Sequence, residues 1–181
     1  VAGVVLIRGP LGIGKTTVAR AAAAALDAAY VSVDAILEAH DLEVWEDGYI
    51  SLGSFLRAND VAVGEVNASL AAGRSVVVDG NFYWPEAIAD LARRVAAPVW
   101  VVSLAGPVEL CLERDAGRAR PFGPESVHAV YAKSTAFPAG RAVDARRPVD
   151  ELVETVRGLL ASDELSGARS RDRPGDGTGS D

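Results

Sequence analysis

The sequence predicts a three-layer α/β/α protein built on a five-stranded parallel sheet. Short apolar runs recur along the chain without alternating, as strands buried on both faces require. Helical stretches separate them, which is the order of a parallel sheet covered on both sides. The first apolar run, Val4 to Ile7, leads through a glycine-rich segment straight into a helix.

The elements follow in sequence order. Val4-Val5-Leu6-Ile7 is the first strand, and Thr16 to Leu26, rich in alanine, the first helix. Ala29 to Val33 is a second strand, followed by one or two helical turns over Ala35 to Ala39. The mixed segment Asp41 to Gly53 reads as loop. Ser54 to Ala72 is a long helix, capped by Ser51 or Ser54 and ended by Gly73. Ser75 to Val78 is a third strand, stopping at Asp79-Gly80-Asn81. Pro85 opens a helix reaching Val95. Val99 to Leu104 is a fourth strand, and Pro107 opens a helix through Arg118. Pro121, Gly123 and Pro124 break it before a helix over Glu125 to Ser134. Arg141 to Val143 is the fifth strand and Val149 to Leu160 the last helix. Residues 1–161 thus form one domain. In 162–181 the composition shifts to Ser, Gly, Asp, Arg and Pro, the mark of a disordered tail.

Composition narrows the class. The 181 residues are 49% hydrophobic and 24% charged, a balance that suits one globular domain. No apolar run approaches the roughly 20 residues of a membrane span. The apolar start lacks a basic leader and a cleavage site, so it reads as a core strand and not as a signal peptide. Net charge is −7, which disfavours a dedicated nucleic-acid binder. The single cysteine, Cys111, excludes an internal disulfide and suits a reducing cytoplasm.

Gly9-Pro10-Leu11-Gly12-Ile13-Gly14-Lys15-Thr16 fits G-x-x-x-x-G-K-[ST] between a strand and a helix. Gly9, Gly12 and Gly14 let backbone N–H groups turn inward toward phosphates without side-chain clash. Ile13 and Thr17 belong to the same cradle. The helix beginning near Lys15 adds its positive end. Lys15 reaches the β- and γ-phosphates, and the Thr16 hydroxyl is a Mg²⁺ ligand. The expected ligands are a nucleoside triphosphate and Mg²⁺.

The G-x-x-G-x-G-K-T form resembles the loop of the small P-loop kinases, the group of shikimate, gluconate, chloramphenicol and polynucleotide kinases with an adenylate-kinase-type fold. That resemblance implies the strand order 2-3-1-4-5. No guanine-reading N-K-x-D follows, so the nucleotide is expected to be ATP.

Two aspartates stand at strand ends, where parallel sheets place ligands. Asp34 resembles the acidic residue that faces the acceptor in these kinases, suited to take or orient a hydroxyl proton. It equally suits an N-cap for the next helix. Asp79 ends its strand as a Walker-B aspartate does and is expected to hold Mg²⁺, although Asp-Gly-Asn is also turn sequence. Val78 to Asn81 resembles the matching stretch of polynucleotide kinases, which gives Asn81 a substrate contact or a turn role.

Cys111 to Pro121 carries Arg114 and Arg118, four apart on one expected helix face, with Arg120 beyond. The segment resembles the arginine-bearing lid of the small kinases, which places the lid at about 111–139 and gives Arg114 and Arg118 catalytic and nucleotide contacts. Paired with Glu113, Asp115 or Glu125 they would instead make a solvated face. Lys133, across the lid, is a further candidate phosphate contact. In the relatives the loop after strand five wraps the adenine, which gives Arg146 a stacking role beside an alternative as plain helix entry.

The acceptor is expected between the segments after strands two and three. Trp45, Tyr49 and Tyr83 offer rings there, with Arg57, Asp47 and Asn59 as polar groups. Phe55 and Phe82 read as core. The reading is a Mg-ATP phosphotransferase acting on a hydroxyl of a small molecule. A nucleotide or polynucleotide 5′-hydroxyl kinase, and an ATP-binding switch without a small acceptor, stand beside it.

Overall fold

The computed structural model describes residues 2–161; the tail expected over 162–181 lies outside them. The elements are β1 Val4–Arg8, α1 Lys15–Ala25, β2 Ala29–Ser32, α2 Val33–Ala39, β3 Trp45–Glu46, β4 Tyr49–Ile50 and α3 Leu52–Ala71. They continue with β5 Val76–Asp79, α4 Pro85–Arg94, β6 Val99–Ala105, α5 Val108–Ala116, α6 Pro124–Thr135, β7 Arg141–Asp144 and α7 Val149–Ala161.

The main sheet is wholly parallel, ordered β2-β5-β1-β6-β7. Its five strands, counted by themselves, run 2-3-1-4-5, the expected order. Strand β1 is central, and its residues divide by parity. Val4 and Leu6 pack with Phe55, Val66 and Leu91 of α3 and α4. Val5 and Ile7 pack with Val18, Ala22, Cys111 and Val153 of α1, α5 and α7. An all-apolar strand is needed because both faces are covered, and all four side chains are fully buried.

Three local expectations are corrected, and of the two expected caps of α3 the structure selects one. The segment Asp41 to Gly53 is not all loop: β3 and β4 form a hairpin, with Trp45 opposite Ile50 and Glu46 opposite Tyr49. Asp47 and Gly48 both take positive φ, 51° and 80°, so the strands close through a two-residue turn whose twist suits them. The Asp-Gly signal was present between short strands. Helix α2 is capped by Ser32, whose Oγ accepts the Ala35 N–H at 3.3 Å; Asp34 lies inside the first turn and is not the cap. Ser51, not Ser54, caps α3. Helix α5 ends at Ala116 with Gly117 as its cap, so Arg118 lies beyond it and does not share a helix face with Arg114.

No helix among the described residues is long and apolar enough to cross a membrane.

Candidate active site

The loop between β1 and α1 is held by glycine backbone geometry. Gly9, Gly12 and Gly14 have φ of 151°, 82° and 106°. A Cβ on Gly12 would sit 2.5 Å from the Cys111 carbonyl oxygen, so α5 approaches the loop only because that position is bare. Ile13 is fully buried and pins the loop from beneath. Lys15 opens α1 and is only 6% exposed. Its Nζ donates to Pro10 O and to Asn81 Oδ1, both at 2.9 Å. Burial pushes the Lys15 pKa down, while Asp34 and Asp79 act against that shift.

The candidate metal position lies beside it. Thr16 Oγ1 donates to Asp79 Oδ2 at 2.8 Å, and the Tyr30 hydroxyl donates to the other carboxylate oxygen at 3.0 Å. Asp79 is 1% exposed. A hydroxyl and a buried carboxylate side by side are hard oxygen donors that fit Mg²⁺. Among the described residues no cluster of three or more His, Cys, Asp or Glu forms a protein-only metal site.

Asn81 links the two halves of the site. Its side chain receives Lys15, and its backbone N–H donates to Asp34 Oδ1 at 3.0 Å. Burial raises the Asp34 pKa, and the Lys15 ammonium partly offsets the rise. Lys15, Thr16, Thr17, Asp34 and Asn81 all line one cavity of about 680 Å³ with Trp45, Tyr49, Tyr83 and Arg118.

The structure distributes the other expected residues differently. Arg114 donates Nη1 to Ile13 O and Nη2 to Ala145 O at 3.2 Å, so it braces the phosphate loop against the loop after β7. Arg118 lines the cavity, 3.6 Å from Asp115 and against the Phe122 ring. Asp115 is not a surface partner: it is 2% exposed and accepts the N–H groups of Phe122 and Gly123, holding the turn that aims Arg118. Arg146 is bound to Asp144 through several hydrogen bonds, and both stand outside the cavity lining. Asp144 is held down to about 2 by that pairing.

Arg57 also stands outside the lining, donating to Leu42 O and Ser54 Oγ. Asn59 is buried between helices, bonded to Ala87 O and Asp90, and is no pocket group. Phe55 and Phe82 are core. Tyr83 lines the cavity while its hydroxyl receives the Ile50 N–H at 3.0 Å, and burial raises its pKa strongly. The Lys133 ammonium does not line the cavity. It sits 3.7 Å from the Trp84 ring centroid and 4.5 Å from that of Tyr49.

Sequence reasoning missed two residues. Tyr30, mid-strand, lies in no motif; only the pairing of β2 with β5 brings it to Asp79. Arg8 is the last residue of β1. It is 2% exposed and donates to Ser134 O and Phe137 O at the end of α6. A burial of that depth leaves no signal in a single sequence.

A parallel sheet covered by helices on both faces, with a glycine phosphate loop and a Thr–Asp pair behind it, defines a P-loop protein of the small-kinase fold. The match to family patterns agrees: residues 4–138 match the AAA domain, and the chain belongs to that P-loop family. Solved structures share the fold across nearly the whole described chain. A sugar kinase from Janibacter sp. HTCC2649 is 22% identical with a TM-score of 0.72, covering 89% of this chain and 96% of its own. A gluconokinase from Sinorhizobium meliloti 1021 is 22% identical with a TM-score of 0.62, covering 88% and 90%. Shikimate kinase from Aquifex aeolicus is 16% identical with a TM-score of 0.60, covering 91% and 99%. No curated protein matches the chain in sequence.

Proposed function

We propose that the chain is a Mg-ATP-dependent kinase that transfers the γ-phosphate to a hydroxyl group of a small molecule. The observation that carries this reading is the Lys15–Asn81–Asp34 chain. It holds a phosphate-seeking cation and a candidate base within one cavity, on the two sides of a single asparagine. The kinase names of the structural neighbours support it.

In this mechanism the loop amides and Lys15 hold the β- and γ-phosphates, and Arg118 closes over them from the lid. Thr16 and Asp79 would hold Mg²⁺, which when bound neutralises charge on the phosphate oxygens. Asp34 orients the acceptor hydroxyl and takes its proton. The hydroxyl oxygen attacks the γ-phosphorus, the bond from phosphorus to the bridging oxygen breaks, and its electron pair leaves with ADP. Arg114 acts on the nucleotide through backbone, by fixing Ile13 and Ala145. A cavity of about 680 Å³ and a net charge of −7 favour a small acceptor over a nucleic-acid strand.

The test is transfer of labelled γ-phosphate from ATP into a small-molecule pool, with Asp34→Asn in parallel. Labelled product from the wild type, reduced at least 100-fold in the variant, is expected. ATP binding with no labelled product from any component would favour an ATP-binding switch.

A further inference from the structure

We infer that the acceptor is a hydroxyl compound that also carries a positively charged amine. The inference rests on the kinase reading and adds the class of its acceptor. The phosphate loop and the cavity make the site; the charges on the cavity walls decide what enters it.

Those walls are electrically divided. Among the described residues, the cations lining the cavity are Lys15, Arg20 and Arg118, all on α1 or the lid. One stretch of the lining runs from α2 to the hairpin. It contributes Asp34, Glu38, Asp41 and Glu43 and no cation. Glu38, Asp41 and Glu43 make no ion pair and no side-chain hydrogen bond among the described residues. Such free carboxylates lining a concavity are available to a ligand.

The cations nearest that wall are otherwise engaged. Lys133 is held by the Trp84, Tyr49 and Tyr83 rings, and Arg57 by Leu42 O and Ser54 Oγ. A carboxylate or sulfate on the acceptor would therefore meet like charge along this stretch. Trp45, 63% exposed on the hairpin, and Tyr49 add ring surface to the same wall. Carboxylates with aromatic faces are the chemistry that recognises an ammonium group.

The base is coupled to this wall. Asp34 has its pKa raised first by burial, then by Asp79 and Glu43. An ammonium arriving among these carboxylates lowers it again, so a cationic acceptor helps ionise the group that must take its proton. The amine itself neither gains nor loses a bond in the transfer.

The test uses a pool of small hydroxyl metabolites separated by ion exchange into cationic, neutral and anionic fractions. Each is incubated with the protein, Mg²⁺ and γ-labelled ATP. Label in the cationic fraction at about tenfold or more over the others is expected. Glucosamine, glucose and glucuronate then serve as size-matched competitors of that labelling, and glucosamine is expected to compete best. Glu43→Gln, an exposed position, should raise the KM of the labelled acceptor about two- to fivefold with a smaller change in kcat. Label chiefly in the neutral or anionic fraction, or an unchanged acceptor KM in Glu43→Gln, would overturn the inference and leave the kinase standing. No label in any fraction from protein that binds Mg-ATP would instead overturn the kinase reading beneath it.

Discussion

The Lys15 ammonium and the Asn81 amide oxygen lie 2.9 Å apart, so the lysine of the phosphate loop rests on the residue that also anchors Asp34. With Lys15 only 6% exposed, that contact satisfies a buried charge in the absence of phosphate. Asn81→Ala removes it but keeps the N–H that Asp34 accepts. The nucleotide-free variant should lose about 1–3 kcal/mol of stability, and saturating Mg-ATP should restore most of the loss by giving Lys15 phosphate oxygens. Thermal melts with and without Mg-ATP check this. An equal loss in both conditions would mean that Lys15 does not turn to the nucleotide.

Thr16 and Tyr30 grip the two oxygens of one buried carboxylate. Asp79→Asn should raise the Mg²⁺ concentration for half-maximal activity about 10- to 100-fold, and Tyr30→Phe should act in the same direction near the lower limit. Titration of Mg²⁺ at fixed ATP reads both. If Tyr30→Phe changed only stability, its hydroxyl would be a packing group and not a support for the metal ligand.

Asp34 predicts opposite signs for activity and stability. Burial raises its pKa in the fold, so it binds its proton more tightly there than in the unfolded chain. Stability is then lost as pH rises from the ordinary carboxylate value through the folded one, because the ionised group is desolvated. Asp34→Asn should melt above the wild type at pH 8, with the difference shrinking toward pH 4. Activity runs the other way. The acid limb of kcat/KM should fall above the usual carboxylate range in the wild type. A variant with full activity and an unmoved limb would remove Asp34 as the base.

Much of this was legible in the sequence because it is local. The phosphate loop, the strand-end Asp79 and the core parity of Val4 to Ile7 each follow from short-range pattern. The hairpin segment reads as loop, although Trp45-Glu46-Asp47-Gly48-Tyr49-Ile50 carries its own turn. What could not be read depends on residues far apart in the chain. Arg114 lies 101 residues from the Ile13 carbonyl it holds, and Tyr30 lies 49 from Asp79. Spacing within a helix placed Arg114 and Arg118 together. Gly117 separates them, sending one to brace loops and the other into the cavity.

Lys133 joins α6 to the hairpin and to the stretch before α4 without lining the cavity. It projects from α6, its ammonium lies 3.7 Å from the Trp84 centroid and 4.5 Å from that of Tyr49, and Tyr49 donates to Ala129 O on the same helix. The rings therefore hold the hairpin and the stretch before α4 against α6. Lys133→Met keeps the stem and removes the charge, which should cost about 0.5–2 kcal/mol. Trp84→Leu removes the ring and also the indole bond to Ile50 O, so it should cost more. In the double variant the cation–π part can be lost only once, and a coupling of at least about 0.5 kcal/mol is expected. Strict additivity in denaturant melts would show that the cage is a coincidence of packing. If the cage transmits lid position, Lys133→Met should also raise the acceptor KM more than the ATP KM, because the hairpin carries Trp45 and Tyr49 while the phosphate loop stays braced by Arg114.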